Sequence, residues 1–302
     1  MTRGNWLAGL SSARGGILWM LGASLLFSTQ DAIVKYLSAD YSVVQLVWAR
    51  FTLALAAIVL VTGPRLRGLL VTRRPGLQVL RGVLLLSMMG LFYTALGLIP
   101  LADATSILFL GPLIVAALSA SLLGEHVGPR RWAAVVVGFA GALIIVRPGQ
   151  GTMEAAALMP LGAAFLFGFY QIVTRLLNRW DRPLTTLTYS ASCASLATSA
   201  LVPFHWQANP TAAAWALMVA LGVIGAVSQF SLIKAYEAAP AATVAPFFYV
   251  SLIWAVGYGY VLFGDFPDLW TATGALIITG SGLYVFHRAK VRGATDRQID
   301  RP

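Results

Sequence analysis

Charge is what this sequence has least of. Only 11% of its 302 residues are Asp, Glu, Lys or Arg, against roughly 25% in soluble domains. A chain so poor in charge cannot cover itself with a water-facing surface, and its mean hydropathy of +0.77 puts it in lipid. The single cysteine, Cys193, excludes a disulfide within the chain and reads as a small buried residue. Three histidines, His126, His205 and His287, fall far apart at the ends of apolar runs. With no HExxH pair, no Walker glycine loop and no paired catalytic carboxylates, the machinery of an enzyme is missing, and neither cofactor nor metal is expected.

Apolar sequence is abundant, and it comes in lengths that matter. Crossing about 30 Å of hydrocarbon takes roughly 20 residues at 1.5 Å each. Runs of that size recur at about 15–37, 42–62, 77–98, 101–123, 130–147, 154–176, 183–203, 211–236, 240–262 and 269–287. The expectation is an all-α membrane protein of ten transmembrane helices. The longest polar link, Gly63–Gly76, leaves no room for a soluble domain. Arg3 and Arg14 give residues 1–14 the look of a signal-peptide n-region. The run that follows is too long for one and recurs later, which predicts a retained first span.

That recurrence organises the chain. Residues 21–37 and 161–177 match at an offset of 140: Leu21/Leu161, Gly22/Gly162, Ala23/Ala163, Leu26/Leu166, Phe27/Phe167 and Leu37/Leu177 are identical, and Lys35 faces Arg175. The same offset pairs Pro100 with Pro240 and Gly124-Glu125 with Gly264-Asp265. Five spans per copy, an odd number, make the second copy enter the membrane from the opposite side, so the expectation is two inverted five-helix repeats. Residues 1–149 form the first, 150–290 the second, and 291–302 a basic cytoplasmic tail. With the N-terminus in the cytoplasm, 18 of the 21 Lys and Arg fall on that side, only Lys35 and Arg147 fall opposite, and Arg50 lies within a span. This is the positive-inside bias, and it places both termini in the cytoplasm. It also accounts for the net charge of +10 without a nucleic-acid partner.

Several residues resemble those of the drug/metabolite transporter superfamily, in particular its EamA-type ten-helix carriers. Arg50-Phe51 resembles that family's Arg-Phe pair. The stretch from Pro100 through Pro112 to Gly124-Glu125 is similar to its fourth helix, and Trp132, Gly138 and Gly141 to its fifth. The second half departs from the pattern: Leu252 stands where the repeat predicts a proline, Pro246 lies six residues earlier, and Asp265 replaces the glutamate. Aromatic spacing and organisation look like the bacterial amino-acid exporter branch, the YddG-like proteins. The resemblance implies a multi-pass carrier of a bacterial inner membrane that exports aromatic and other neutral amino acids. Drugs, nucleosides or other metabolites are the alternative cargo, and a channel, lacking rings of charge or a filter segment, is further removed. It also implies that helices 1, 3, 4, 6, 8 and 9 line a central cavity while 5 and 10 stay peripheral.

Inverted repeats bind substrate near the midplane. Phe27 to Gln30 lie about 18–23 Å into the first span and Phe167 to Gln171 about as far into the sixth, which brings Ser28, Thr29 and Gln30 level with Tyr170 and Gln171. Amides at that depth need each other, water or a ligand. Under the resemblance, Tyr93, Thr94, Ser228 and Gln229 join this substrate-binding set; the aromatic density of the ninth span separately adds Tyr249 and Trp254. Tying helices together is the alternative role for each polar side chain, and core or lipid contact for each aromatic one.

The charges divide differently. Asp31 and Arg50, at similar depths on neighbouring helices, are expected to pair, with Lys35 competing through its i, i+4 spacing. Such a pair either glues helix 2 to helix 1 or forms an outer charge cluster that meets a zwitterion. Lys234 and Glu237 read as a snorkelling pair or a gate, and Glu125 and Asp265 as caps of span ends. Pro112 and Pro246 each remove a backbone hydrogen bond and are the candidate hinges. Proton coupling finds no dense acidic relay, and a neutralised Asp31 would carry protons poorly at neutral pH, which favours facilitated exchange or uniport. Gly274, Gly280 and Gly282 suit close packing, either with a second copy or inside the protomer.

Overall fold

The computed structural model describes residues 3–63, 66–124, 128–148, 153–207 and 209–299. Among these there is helix and link but no strand. In lipid, a backbone has to satisfy its own N–H and C=O groups, and a helix does so within one segment. Ten helices follow the apolar runs. They are α1 (Arg3–Leu37), α2 (Val43–Thr62), α3 (Pro75–Leu98), α4 in two pieces (Leu101–Leu108 and Gly111–Leu123), α5 (Pro129–Val146), α6 (Met153–Leu177), α7 (Pro183–Leu201), α8 (Ala212–Ala238), a composite α9 from Ala241 to Phe263, and α10 (Leu269–Ile299). The last runs into the segment expected as a tail. Glu125, expected as a cap, lies outside the described residues.

Local chemistry sets the ends. Ser42 and Thr211 cap α2 and α8, their hydroxyls accepting from the N–H groups of Gln45 and Ala214 at 3.2 Å each. Proline, with no N–H to waste, opens α3, α5 and α7. Gly124 and Gly264 close α4 and α9 in the left-handed region, at φ 67° and 72°, where a side chain would be strained.

Among the described residues, nine of the ten helices are long and apolar enough to cross a membrane; α7 is the exception. Its 19 residues include Thr185, Thr186, Thr188, Ser190, Ser192, Ser195, Thr198 and Ser199. Several of these hydroxyls turn back onto their own helix, as Thr188 does to Leu184 O (2.8 Å) and Ser190 to Thr186 O (2.9 Å). The outside of the bundle is apolar, with Val61, Leu60 and Val261 75–87% exposed, while Ser28, Gln30, Ser228 and Arg50 are buried. That reverses the soluble pattern and suits a lipid solvent.

Helix ends recur at the sequence offset. α1 and α6 end at Leu37 and Leu177, α3 and α8 at Leu98 and Ala238, and α4 and α9 begin at Leu101 and Ala241, each pair 140 residues apart. The packed pairs are α1 with α8, α3 with α6, α2 with α7 and α5 with α10, and this set maps onto itself when the halves are exchanged. Helices therefore pack more across the halves than within them. Phe109 and Tyr249 occupy the same repeat position and touch one another, ring centroids 4.7 Å apart, at the centre of this exchange.

Neither α4 nor α9 is the continuous helix that its apolar run suggests. α4 breaks at Phe109 and Leu110, just before Pro112. α9 passes from a turn at Ala241–Val244 through a 3-10 stretch, Ala245–Val250, that holds Pro246, then α-helix to Tyr258 and a π turn to Phe263. Each proline deprives the carbonyl four residues earlier of its donor. Both candidate hinges thus sit at real interruptions. α5 and α10 meet through small residues: a Cβ on Gly274 would stand 2.5 Å from Gly141 O. Gly282 faces Tyr249 and Gly280 faces open space, so Gly274 and Gly282 serve packing within the protomer.

Candidate functional site

Two buried arginines organise the polar interior. Arg50, on α2, is 5% exposed, and Gln30 and Tyr93 beside it are wholly buried. One Nη donates to the Tyr93 hydroxyl and lies 3.0 Å from Met89 Sδ. The Gln30 carbonyl oxygen, oriented by this network, accepts from Arg50 Nε at 3.1 Å and from the Tyr93 hydroxyl at 2.7 Å. Helix α8 can close over the cluster because Gly225 has no Cβ to meet Gln30 at 3.3 Å. The guanidinium is thus satisfied by neutral acceptors, and no ion pair joins it to Asp31 among the described residues. That corrects the expected Asp31–Arg50 pair: Asp31 is half-buried and acts on Arg50 only through space.

The second arginine, Arg81 on α3, was counted among the cytoplasmic charges, yet it is 4% exposed. Its Nε donates to Thr174 (2.7 Å) and one Nη to Thr186 O (3.2 Å). Further bonds reach the hydroxyls of Ser190 and Tyr170, and the guanidinium carbon lies 4.3 Å from the Tyr170 ring centroid. Tyr170 and Ser190 are the repeat counterparts of Gln30 and Arg50. The same guanidinium–phenol chemistry therefore recurs with its arginine moved to another helix, and here it fastens α3 of the first half to α6 and α7 of the second.

Each end of the bundle is tied separately. At one end Lys35 donates to Ile99 O (2.8 Å), capping α3, and pairs with Asp265 at 3.5 Å. Lys35 therefore does not compete for Asp31; its partner lies 230 residues away, beyond the reach of any local spacing rule. Asp265 closes the end of α9, as expected. At the same end Trp48 bonds Ser199 (3.0 Å), and Arg147 bridges to Asp268. That bond holds the Asp268 carboxyl below the ordinary carboxylate range. At the opposite end Asp181 accepts from Gln78 (2.8 Å), Thr72 and the Arg73 N–H. Burial opposes ionisation of Asp181, but these bonds prevail and its pKa is lowered. Arg74 lies 5.2 Å from the Trp180 ring centroid.

The remaining predicted residues separate into two groups. Ser28 donates to Ser251 O at 3.1 Å, Thr29 meets the Tyr258 hydroxyl at 2.7 Å, Thr94 bonds Gly90 O (2.7 Å), and Ser228 bonds Gly225 O (3.0 Å). Gln171 and Gln229 are half-buried and make no side-chain hydrogen bond among the described residues. Tyr249 packs on Phe109 and Phe286, inside the cluster shared with α5 and α10. Trp254, 37% exposed, looks outward beside Ile253. Lys234 and Glu237 pair with each other at 2.8 Å on one helix and so bridge nothing. Neither aromatic side chain makes a hydrogen bond among the described residues, and the Tyr249 hydroxyl is buried without a partner.

Among the described residues, ten helices, nine of them long and apolar enough to cross a membrane, surround a polar interior and define a polytopic membrane protein. The EamA-like transporter family model matches this chain twice, over residues 14–147 and 154–286, and the chain belongs to that family. It is 30% identical to a riboflavin transporter of Vibrio cholerae, over 94% of this chain and 97% of that one. An S-adenosylmethionine uptake transporter of Rickettsia prowazekii is 29% identical over 93% and 95%. A pseudopaline exporter of Pseudomonas aeruginosa is 29% identical over 89% and 95%. One crystal structure superposes with a TM-score of 0.63 at 19% identity, covering 95% of this chain and 99% of that one, and shows the fold alone. The protein is a multi-pass membrane transporter, not an enzyme.

Proposed function

We propose that the protein moves a small metabolite across the bacterial inner membrane by alternating access, along the seam between two inverted five-helix halves. The observation that carries this reading is the pair of interrupted helices, α4 and α9, meeting at Phe109 and Tyr249. Broken helices at a repeat interface mark the substrate path in carriers of this kind. The inversion is supported by where counterparts end: α1 ends beside Lys35, and α6 ends beside Asp181, at the other end of the bundle. The basic-residue bias supports both termini in the cytoplasm. Bending at Pro112 and Pro246 would open one end while the Arg81 network or the Lys35–Asp265 tie holds the other.

Asp31 and Gln171 share a repeat position, are both half-buried and have no hydrogen-bond partner among the described residues. With Gln229 they are the groups best placed to meet a ligand, while Gln30, Tyr93 and Tyr170 hold the arginines. The favoured cargo is a neutral amino acid, aromatic ones included, in the export direction. Counterflow in proteoliposomes with labelled L-tryptophan, L-methionine, S-adenosylmethionine and riboflavin tests this. Exchange of the amino acids, reduced about tenfold or more in Gln171→Ala, is the expected result. Exchange of riboflavin alone would overturn the amino-acid reading.

A further inference from the structure

One charged cavity has no part in the path through the middle. It encloses about 210 Å³ where the α3–α4 link, the end of α5 and the α9–α10 link converge. Ile107 and Phe266 give it apolar walls, and Asp103, Arg147, Asp268 and Thr271 its polar groups. These charges do not cancel pairwise. Asp268 is engaged by Arg147 and by the Thr271 N–H at 2.9 Å. Asp265, the next acid, is taken by Lys35. Asp103 is engaged by the Thr271 side chain and lies within electrostatic reach of Asp268, Arg147 and Asp265, but has no ion-pair partner among the described residues. Arg147, for its part, gives one Nη to Asp268, and no hydrogen bond among the described residues engages its other Nη.

A carboxylate without an ion pair and an uncommitted guanidinium Nη in one cavity present an acceptor and a donor of opposite charge to the same small molecule. We propose that this cavity is a vestibule site for a zwitterion, an α-amino acid head group, with its ammonium on Asp103 and its carboxylate on Arg147. Ile107 and Phe266 would then take the side chain. The assignment rests on the carrier reading for where the ligand goes next, but not for its binding. Charged groups held by a low-dielectric wall concentrate an oppositely charged ligand at a mouth. Each charge-assisted bond also adds to the affinity.

The test is equilibrium binding of radiolabelled L-methionine to purified protein by scintillation proximity, with counterflow of L-methionine and riboflavin measured on the same preparations. Asp103→Asn should weaken methionine binding about tenfold and leave riboflavin counterflow unchanged, and Asp103→Glu should recover part of the loss. Arg147→Lys, a second route should the first variant misfold, should weaken L-methionine but not its decarboxylated amine, 3-methylthiopropylamine. Equal methionine binding by wild type and Asp103→Asn, or no saturable binding by wild type, overturns the proposal. Riboflavin exchange without methionine binding sinks the vestibule and keeps a carrier. Methionine binding that depends on Asp103, without counterflow of either probe, keeps the vestibule and sinks the carrier reading.

Discussion

The Arg50 and Arg81 clusters use the same parts to different ends. In each, a buried guanidinium is held by a phenol and neutral oxygens rather than by a carboxylate. Around Arg50 every hydrogen-bonding partner among the described residues belongs to the first half, and on the second half Gly222 and Gly225 bring the backbone of α8 close. Around Arg81 the partners belong to the second half while the arginine belongs to the first. One cluster therefore stiffens a half, and the other fastens the halves together. A neutral cage also lets either arginine be released without leaving a bare carboxylate behind, which a buried salt bridge would not allow.

On that contrast, Arg81→Met should be the most damaging change. It strands the Tyr170, Ser190 and Thr174 groups at the joint between halves, and the expected loss is about 3–5 kcal/mol. Thermal unfolding in detergent would report it as a markedly lowered midpoint, and an unchanged midpoint would break the comparison. Tyr93→Phe and Tyr170→Phe each remove one acceptor, at about 1–3 kcal/mol. The Tyr170 change should alter transport more than the Tyr93 change, because only it loosens the joint. Gly274→Ala pushes a Cβ against Gly141 O and should cost about 1–3 kcal/mol by prising α10 from α5, away from both clusters.

Lys35→Ala, at a partly exposed tie, should cost no more than about 1 kcal/mol. The pH dependence sharpens the picture at the other end. Asp181 has a pKa below its ordinary value of 3.8 in the folded protein. Its contribution is therefore present above the unfolded value and lost as pH falls through the folded one. Unfolding midpoints should drop in acid for wild type, and Asp181→Asn should flatten that drop.

The ten helices were legible in the sequence as apolar runs, and among the described residues nine of them are long and apolar enough to cross a membrane, because lipid demands such runs. The interruptions in α4 and α9 were legible only as proline positions. A 3-10 stretch is as apolar as the helix around it, so hydropathy does not see it. Arg50 stood out at mid-span, whereas Arg81, nearer a span end, merged with the positive-inside charges. Treating every arginine a turn or more inside an apolar run as buried would have found it. The Lys35–Asp265 tie could not be read, since i, i+4 reasoning is local and its partners are far apart in sequence. Asp103 was missed for a related reason: only the convergence of three links makes it an unpaired charge in a cavity.

The most direct test concerns opposite polarity of the two halves. In a Cys193→Ala background, single cysteines at Gly68 and Asn209, exposed positions on the α2–α3 and α7–α8 links, would be probed in intact cells with a membrane-impermeant maleimide. Labelling of Asn209→Cys alone, with Gly68→Cys reacting only after lysis, is the predicted result. Equal labelling of both in intact cells would mean that the halves cross the membrane in the same sense, and would contradict the account.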